Sequence, residues 1–514
     1  MKINRTKNAA KGIAVGTFLK IYQMILPFVM RTIMIYFLGV QYLGLNSLFT
    51  SILQVLNLAE LGVGNAMVFS MYRPIAEDDK KTICALMKLY RKYYRIIGLV
   101  IGVIGGVLTP FVPFLIKNKS VPDDMNIYVL YLLNLAATVL TYWLFAYKNS
   151  LLVAHQRTDV KHAIMIATNT LQYALQIFVV IILKNYYAYV IMLLASQVVN
   201  NISTAAVVNK MYPEYVPEGE LPKEQRDSIT QRIKDLFTSK VGFVITNSAD
   251  TIVISAFLGL EALAIYQNYY FILTSIIGLI EIVFSSTLAG IGNSFILESQ
   301  ERNFNIFRRF TFMICWIAGM CSACFLGLFQ PFMRIWVGEA LTLEYGCVIC
   351  FVLYFYFYEL NRVLNVFKDA AGLWHEDRFR PLTVALVNLC INLMLVKFWG
   401  LYGVLLSTVF ATVFVGMPWI CHNIFTNLFD AKYLFGYLKN LLIYVIAAVA
   451  VCVSSVYLCD LVKADGLVGL IIRLCICVVV SNVIFFILFR KKKEFRDSLK
   501  MLNKATGNKL KLAK

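Results

Sequence analysis

Long runs of apolar residues restrict the fold of this chain more than any other feature. A helix needs about 20 mainly apolar residues to cross a hydrocarbon core roughly 30 Å thick. Unbroken runs of that length exclude the strands of a membrane barrel, which are shorter and alternate in polarity. We therefore predict an all-α polytopic membrane protein with about 14 transmembrane helices. The predicted spans are residues 12–38, 43–70, 94–116, 127–147, 164–183, 186–208, 237–258, 263–295, 307–329, 345–367, 381–396, 401–422, 438–459 and 467–489.

Two stretches 220 residues apart read as copies of one helical hairpin. In each copy an apolar segment ends in a Phe-Leu-Gly turn and a second one follows, at Phe37-Leu38-Gly39 and Phe257-Leu258-Gly259. A repeat this long within apolar segments indicates a duplicated transmembrane bundle, the usual architecture of transporters that alternate access around a central site.

The repeat predicts two pseudo-symmetric six-helix lobes and an appended pair of helices that has no counterpart in the duplication. Between the copies lies a polar stretch with three prolines, which we interpret as a linker. The predicted bounds are 1–208 for the N-terminal lobe, 209–236 for the cytoplasmic linker, 237–426 for the C-terminal lobe, 427–490 for the appended helices and 491–514 for a basic tail.

The distribution of basic residues predicts the orientation. Of the 48 Lys and Arg residues, 38 fall at the termini and in the even-numbered loops, and six in the odd-numbered loops. The positive-inside rule then places both termini in the cytoplasm. The net charge of +19 is accounted for by this topology, so we predict no nucleic-acid partner.

Catalytic and metal-binding patterns are weak. Cys321-x-x-Cys324 and Cys347-x-x-Cys350 lie in apolar spans, where a spacing of three places two residues on one helix face. We interpret the twelve cysteines as core residues and predict no metal site, disulfide or cofactor. The loops on the outer side are too short for the catalytic carboxylates or histidines of a membrane glycosyltransferase or polymerase, so we predict no enzyme.

Polar residues within spans are costly in a membrane, so they are candidates for function. In the first span Lys20, Gln23 and Arg31 share a helix face, and Pro27 is expected to kink the helix. Arg31 has no carboxylate partner in its own span, and a planar guanidinium in a cavity suits a phosphate. Lys20 is also close enough to one end to extend to the membrane surface.

Further polar residues complete two groups of candidates. Under the 220-residue offset Asp250 aligns with Met30, so Asp250 and Arg31 are expected at almost equivalent depths; Asp250 could bind a cation, pair with another group or pack between helices. Glu359 and Arg362 are spaced to pair along one helix face. The substrate-binding candidates are Arg31, Lys20, Gln23, Asn65, Asn247, Asp250 and Gln267; the structural or coupling charges are Glu60, Glu281, Glu359, Arg362 and Asp369.

Three motifs carry a resemblance to a known family. They are residues 58–66 (LAELGVGNA), residues 246–269 with Thr246-Asn247-Ser248-Ala249-Asp250 and Tyr266-Gln267-Asn268-Tyr269, and residues 368–381 (KDAAGLWHEDRFRP). In order and spacing the chain resembles the bacterial O-antigen and capsule repeat-unit flippases, within the multidrug/oligosaccharidyl-lipid/polysaccharide exporter superfamily.

This resemblance implies a function and a mechanism. The expected substrate is an oligosaccharide repeat unit on undecaprenyl pyrophosphate, moved from the cytoplasmic to the outer leaflet by two lobes that alternate access. Polymerase and glycosyltransferases of the same pathway are the expected partners. Two alternatives stay open: a peptidoglycan lipid II flippase and a cation-coupled multidrug exporter. Arg31 and Lys20 argue against the exporter. Coupling to protons or sodium is undetermined.

Overall fold

A computed structural model of the chain describes residues 5–60, 62–119 and 121–505, apart from some side chains within the helices. These residues are mostly helical and include no β-strand. A hydrocarbon core offers the backbone no hydrogen-bonding solvent, so a chain this apolar pairs its backbone groups within helices. The predicted all-α membrane fold is confirmed. The chain forms two compact units, Met1–Ala264 and Ile265–Lys514.

Among its described residues, the first unit contains nine α-helices and the beginning of a tenth. Side chains of Asp79, Asn126 and Asn185 cap the fourth, fifth and eighth of these helices by accepting hydrogen bonds from first-turn backbone N–H groups. The helices are α1 (Arg5–Phe37), α2 (Val40–Leu56), α3 (Val63–Glu77), α4 (Lys80–Leu108), α5 (Ile127–Trp143), α6 (Asn149–Ala154), α7 (Thr158–Phe178), α8 (Tyr186–Met211), α9 (Lys223–Phe257) and α10 (Leu260–Leu297).

The second unit is organised around one long helix, Gln300–Val337. It packs most extensively against the helices Tyr345–Ala370, Leu434–Asp460 and Gly466–Phe489. Near its N-terminus this helix packs through aromatic side chains. The Phe307 ring lies 4.9 Å from the Phe367 ring and 4.9 Å from the Tyr437 ring, between centroids. Besides most of α10, the unit contains α11 (Gln300–Val337), α12 (Tyr345–Ala370), α13 (Arg380–Trp399), α14 (Leu401–Phe410), α15 (Met417–Asn427), α16 (Leu434–Asp460), α17 (Gly466–Phe489) and α18 (Lys493–Ala505).

Eleven helices of the described residues are long and apolar enough to span a membrane. The count is twelve if Ile127–Trp143 and Ala146–Ala154, bent by 49°, form one span. The two other predicted spans also correspond to helical segments. The second is divided into α2 and α3, and the seventh has Val244–Phe257 as its apolar part within α9.

The repeated hairpin turn has the same backbone geometry in both copies. Gly39 and Gly259 have φ values of 117° and 102°, which favour glycine because a Cβ atom is strained there. The amides of Leu38 and Gly39 both donate to the carbonyl of Met34, at 3.0 and 2.9 Å. In the second copy Leu258 and Gly259 donate to Ile254, at 2.8 and 3.0 Å. The internal repeat therefore extends to individual hydrogen bonds.

Two segments read as irregular from the sequence are helical. Residues 223–236, within the predicted linker, belong to α9, whose N-cap is Pro222. Proline is tolerated at a helix start because its missing N–H would have no helical partner there. The predicted basic tail contains α18. The first compact unit ends at Ala264 and so includes all of α9. The repeat instead predicts that the C-terminal lobe begins at residue 237, within α9, and these lobe bounds stay a prediction.

Candidate functional site

Arg31 lies in the first unit, in the last third of α1, where α1 packs against α7. Its side chain is half-buried. The guanidinium interacts electrostatically with Tyr173 of α7 and Tyr189 of α8. Nearer the start of α1, the hydroxyl groups of Tyr22 and Thr170 are hydrogen-bonded at 2.7 Å. The packing of α1 on α7 thus places a half-buried cation near tyrosines of α7 and α8.

Two glutamine side chains of α7 link this helix to α8 through hydrogen bonds. The Gln176 side chain is fully buried, and its Nε2 donates to the carbonyl oxygen of Tyr189 at 3.3 Å. Gln172 Nε2 donates to Gln176 Oε1, also at 3.3 Å. Sequence reasoning missed Tyr173, Gln176 and Tyr189. The polar positions 169, 172, 173 and 176, three or four apart in an otherwise apolar helix, were the available signal.

The other substrate-binding candidates are spread over several helices. Lys20 is half-buried and Gln23 is exposed, both in α1, which continues through Pro27 as one helix. Asp250 is buried in α9, with 8% of its surface exposed. Gln267 is half-buried in α10, within the second unit. The side chains of Asn65 and Asn247 lie outside the described part of the structure.

Glu60 sits at a break in the second predicted span. The residues Asn57–Glu60 form a short 3-10 helix between α2 and α3, and Gly62 has φ 90°. Tyr94 of α4 donates its hydroxyl to Glu60 Oε1 at 2.9 Å, and Tyr90 donates to the Tyr94 oxygen at 2.6 Å. A carboxylate within the membrane is therefore held by a chain of two tyrosine hydroxyls.

In the second unit three charged candidates form one cluster. Arg362 of α12 contacts Glu359 at 3.5 Å, as their spacing predicts, and Glu281 of α10 at 3.6 Å. Arg362 also donates to the carbonyl oxygen of Ile277 at 3.1 Å. The Glu359 side chain is fully buried, whereas 53% of the Glu281 side chain is exposed. One guanidinium thus neutralises a buried carboxylate and reaches a second, accessible one.

Asp369 lies at the end of α12, beside a buried ion cluster. Lys368 contacts Asp369 at 2.8 Å and Asp377 at 3.1 Å. Arg380, at the start of α13, donates to both oxygens of Asp377, at 2.6 and 2.8 Å. Asn423 of α15 donates to the same carboxylate at 3.3 Å. These contacts fix the segment between α12 and α13, so the role best supported for Asp369 is structural.

Neither candidate cluster has the donor set of a metal centre. No group of three or more His, Cys, Asp or Glu side chains that could hold a metal ion occurs among the described residues. The groups described around Arg31 include the hydroxyls of Tyr173 and Tyr189. A guanidinium next to hydroxyl groups is a set of donors that can bind an anion.

A family model described as "Polysaccharide biosynthesis protein" matches residues 9–289, more than half of the chain. The chain belongs to this polysaccharide biosynthesis family. The matched range contains Arg31, Tyr173, Tyr189 and the Glu60 cluster, so the first-unit candidates lie within the part that defines the family. No curated protein sequence matches the chain significantly.

Solved structures support the fold of this family member. A lipid II flippase, MurJ, in an inward closed conformation is 16% identical, covers 92% of this chain and 98% of its own, and has a TM-score of 0.67. An inward-facing multidrug resistance MATE family transporter of the MOP superfamily is 15% identical, covers 81% and 96%, and has a TM-score of 0.60. At these identities the similarity concerns the fold alone, which the chain shares with these two membrane proteins.

Proposed function

We propose that the protein is a flippase for oligosaccharide repeat units carried on undecaprenyl pyrophosphate. It would move them from the cytoplasmic to the outer leaflet of the bacterial plasma membrane by alternating access, for capsule, O-antigen or exopolysaccharide synthesis. Both termini would face the cytoplasm. Polymerase and glycosyltransferases of the same pathway would be its partners. Membership of the polysaccharide biosynthesis family supports this class of substrate.

The observation that carries the proposal is the environment of Arg31. A half-buried arginine within a predicted membrane span interacts electrostatically with Tyr173 of α7 and Tyr189 of α8. A guanidinium keeps its charge and offers a planar pair of donors that matches two phosphate oxygens. A lipophilic cation would be repelled by the same group, which favours a pyrophosphate-linked substrate over the substrates of multidrug exporters.

The test is a flipping assay in proteoliposomes that carry an oligosaccharide on undecaprenyl pyrophosphate. A charge-assisted contact contributes about 1.5–3 kcal/mol, so Arg31→Ala should slow flipping by roughly ten- to a hundredfold. Arg31→Lys should recover part of the rate because it keeps the charge and loses the fork. Arg73→Ala, at an exposed arginine paired with Glu77, is the control and should flip normally.

Three outcomes would contradict the proposal. If Arg31→Ala flipped the substrate at the rate of the wild type, Arg31 would not be a contact of the pyrophosphate. Faster flipping of lipid II than of longer repeat units would favour the peptidoglycan pathway. Export of lipophilic cations driven by a proton or sodium gradient would favour a multidrug exporter. Imposing the same gradients on the oligosaccharide assay would determine whether flipping is coupled to an ion.

A further inference from the structure

An apolar groove of about 550 Å³ opens on the surface of the second unit, between α11, α17 and α18. Met313, Ile317 and Met320 line it from α11. Val483 and Phe486 of α17, with 48% and 49% of their surface exposed, form its outer wall. Leu499 of α18 closes one end. The groove therefore runs along the bundle and ends at an amphipathic helix.

The α18 helix is held firmly at that end. Arg308 of α11 forms an ion pair with Glu494, in the first turn of α18. The Phe495 ring is 3% exposed and lies 5.3 Å from the Trp316 ring, between centroids. Glu494 is thus the partner of Arg308, and none of the ion pairs found among the described residues includes the adjacent Arg309.

Arg309 lies on the groove face of α11. Positions 309, 313, 317 and 320 are separated by three or four residues, so they form one stripe along the helix. Helical side chains point towards the helix N-terminus, so we expect the Arg309 side chain to extend beyond Met313 in the direction of α18. Its Nε is buried and has no hydrogen-bond partner among the described residues.

The rim of the groove is also basic. Arg496 and Lys500 are exposed on α18. By helical spacing both lie on one side of Leu499, and the buried residues Glu494 and Ser498 lie on its other side. An acidic residue of α18, Asp497, lies on the opposite side of Lys500 from Leu499. The groove is therefore apolar along its length and has basic residues near the end at α18.

We infer that this groove binds one anionic phospholipid of the leaflet next to α18. Its phosphate receives hydrogen bonds from Arg309 and is attracted by Arg496 and Lys500, while an acyl chain lies against Met313, Ile317 and Phe486. A lipid phosphate supplies the acceptor that Arg309 Nε lacks within the protein, and basic pockets between membrane helices favour anionic headgroups. The bound lipid would join α18 to the α11–α17 pair.

The experiment measures lipid binding to the purified full-length protein by native mass spectrometry, after removal of its own lipids. The probes are phosphatidylglycerol and phosphatidylcholine with identical acyl chains. We expect one phosphatidylglycerol to bind about tenfold more strongly than phosphatidylcholine. Arg309→Gln should abolish that preference. Arg302→Gln, at an exposed arginine of the same helix that pairs with Glu298, is the matched control and should keep it.

Two further variants protect the test against misfolding. Met320→Trp fills the groove and should weaken binding of both lipids, with little change in melting temperature. Arg496→Gln, at the exposed rim, should lower the preference about threefold. Equal binding of the two lipids by the wild type, or equal preferences of Arg309→Gln and Arg302→Gln, would overturn the inference. Displacement of phosphatidylglycerol by a lower concentration of undecaprenyl phosphate would assign the groove to an isoprenoid chain instead.

Discussion

Gly44 of α2 approaches Leu260 so closely that a Cβ atom at position 44 would lie 2.1 Å from the Leu260 carbonyl oxygen. Leu260 directly follows Gly259, the turn glycine of the second hairpin copy, and it is buried. The helix that leaves the first turn therefore packs against the backbone of the second turn. Because the contacting atom is a backbone oxygen, a side chain at position 44 could be accommodated only by moving a helix.

We predict that Gly44→Ala destabilises the protein. Overpacking of a close contact typically costs about 1–3 kcal/mol. The melting temperature of the purified protein in detergent should fall, and flipping should slow because α2 is displaced from the α9–α10 turn. Gly106→Ala is the control, since a Cβ atom in that part of α4 meets nothing within 4 Å. Alanine favours a helix over glycine, so Gly106→Ala should be neutral or slightly stabilising. An equal loss in both variants would contradict the packing argument.

The positions of most spans and the repeated turn could be predicted because each depends on a contiguous stretch of sequence. Apolar length determines the spans, and a Phe-Leu-Gly turn that needs a positive φ was visible in both copies. The contact between Gly44 and Leu260 joins residues far apart in the chain, and no local pattern marks it. The α18 helix was missed because residues 491–514 were interpreted as a basic tail, although Phe495 and Leu499 have helical spacing.

The charged cluster of the second unit gives a second prediction. Removing one partner of a buried ion pair typically costs about 3–5 kcal/mol, because the other charge stays buried without compensation. Arg362→Met should therefore destabilise the protein strongly, since Glu359 is fully buried and its Oε2 has no hydrogen-bond partner among the described residues. Thermal unfolding in detergent measures the loss.

Two variants separate the roles of the two carboxylates. Glu359→Gln combined with Arg362→Met removes both buried charges and should recover most of the lost stability. Glu281→Gln should change stability by less than about 1 kcal/mol, because more than half of that side chain is exposed. If Glu281→Gln instead abolished transport with stability unchanged, Glu281 would be a coupling group rather than a structural one.

The Glu60 cluster illustrates what the sequence could not provide. The Leu-Ala-Glu-Leu-Gly motif identified Glu60 as a polar residue within a span, but its partners Tyr90 and Tyr94 come from α4. Aromatic residues in an apolar helix are ordinarily core residues, so nothing in α4 indicated a hydroxyl chain. The break between α2 and α3 was also not predicted, because the apolar residues before Asn57 and after Asn65 are together long enough to be interpreted as one span.

A third prediction concerns pH. His155 follows α6, outside the predicted spans, and is 6% exposed against the ring of Tyr212, 4.4 Å away between centroids. Burial lowers the pKa of His155 below its usual value of about 6.5. The folded state therefore favours the neutral ring, and below about pH 6.5 the unfolded chain gains a proton that the folded chain does not. Stability should be highest above that pH and decrease between pH 7 and 5.

Melting temperatures across this pH range would measure the effect. His155→Phe should reduce the loss on acidification, because the buried ring can no longer be protonated. His375→Gln, at an exposed histidine, should leave the pH dependence as in the wild type. A wild-type melting temperature that rises towards pH 5 would mean that a group other than His155 determines the pH dependence of stability. The same would follow if His155→Phe had the pH dependence of the wild type.

A fourth prediction tests the orientation. Asp78 and Glu218 are exposed in turns on the predicted cytoplasmic side, and Asp123 and Asp465 precede α5 and α17 on the predicted outer side. Cysteines at positions 123 and 465 should react with an impermeant maleimide in intact cells. Cysteines at 78 and 218 should react only after the membrane is opened. The reverse pattern would invert the topology and the direction of transport.

The last prediction distinguishes a ligand contact from an internal ion pair at Arg31. If Arg31 only neutralised Asp250, the Arg31→Ala, Asp250→Ala double variant would regain transport, and exchanging the two charges would preserve it. If Arg31 binds pyrophosphate, neither the double alanine variant nor the charge exchange should restore transport. Both variants lack the guanidinium at position 31 that donates hydrogen bonds to the substrate. We expect neither rescue: the double variant should flip no faster than Arg31→Ala, and the charge exchange should be inactive. Flipping in proteoliposomes at matched protein levels decides between them, with the two single variants completing the cycle. Full recovery in the double alanine variant would leave Arg31 as the structural partner of Asp250.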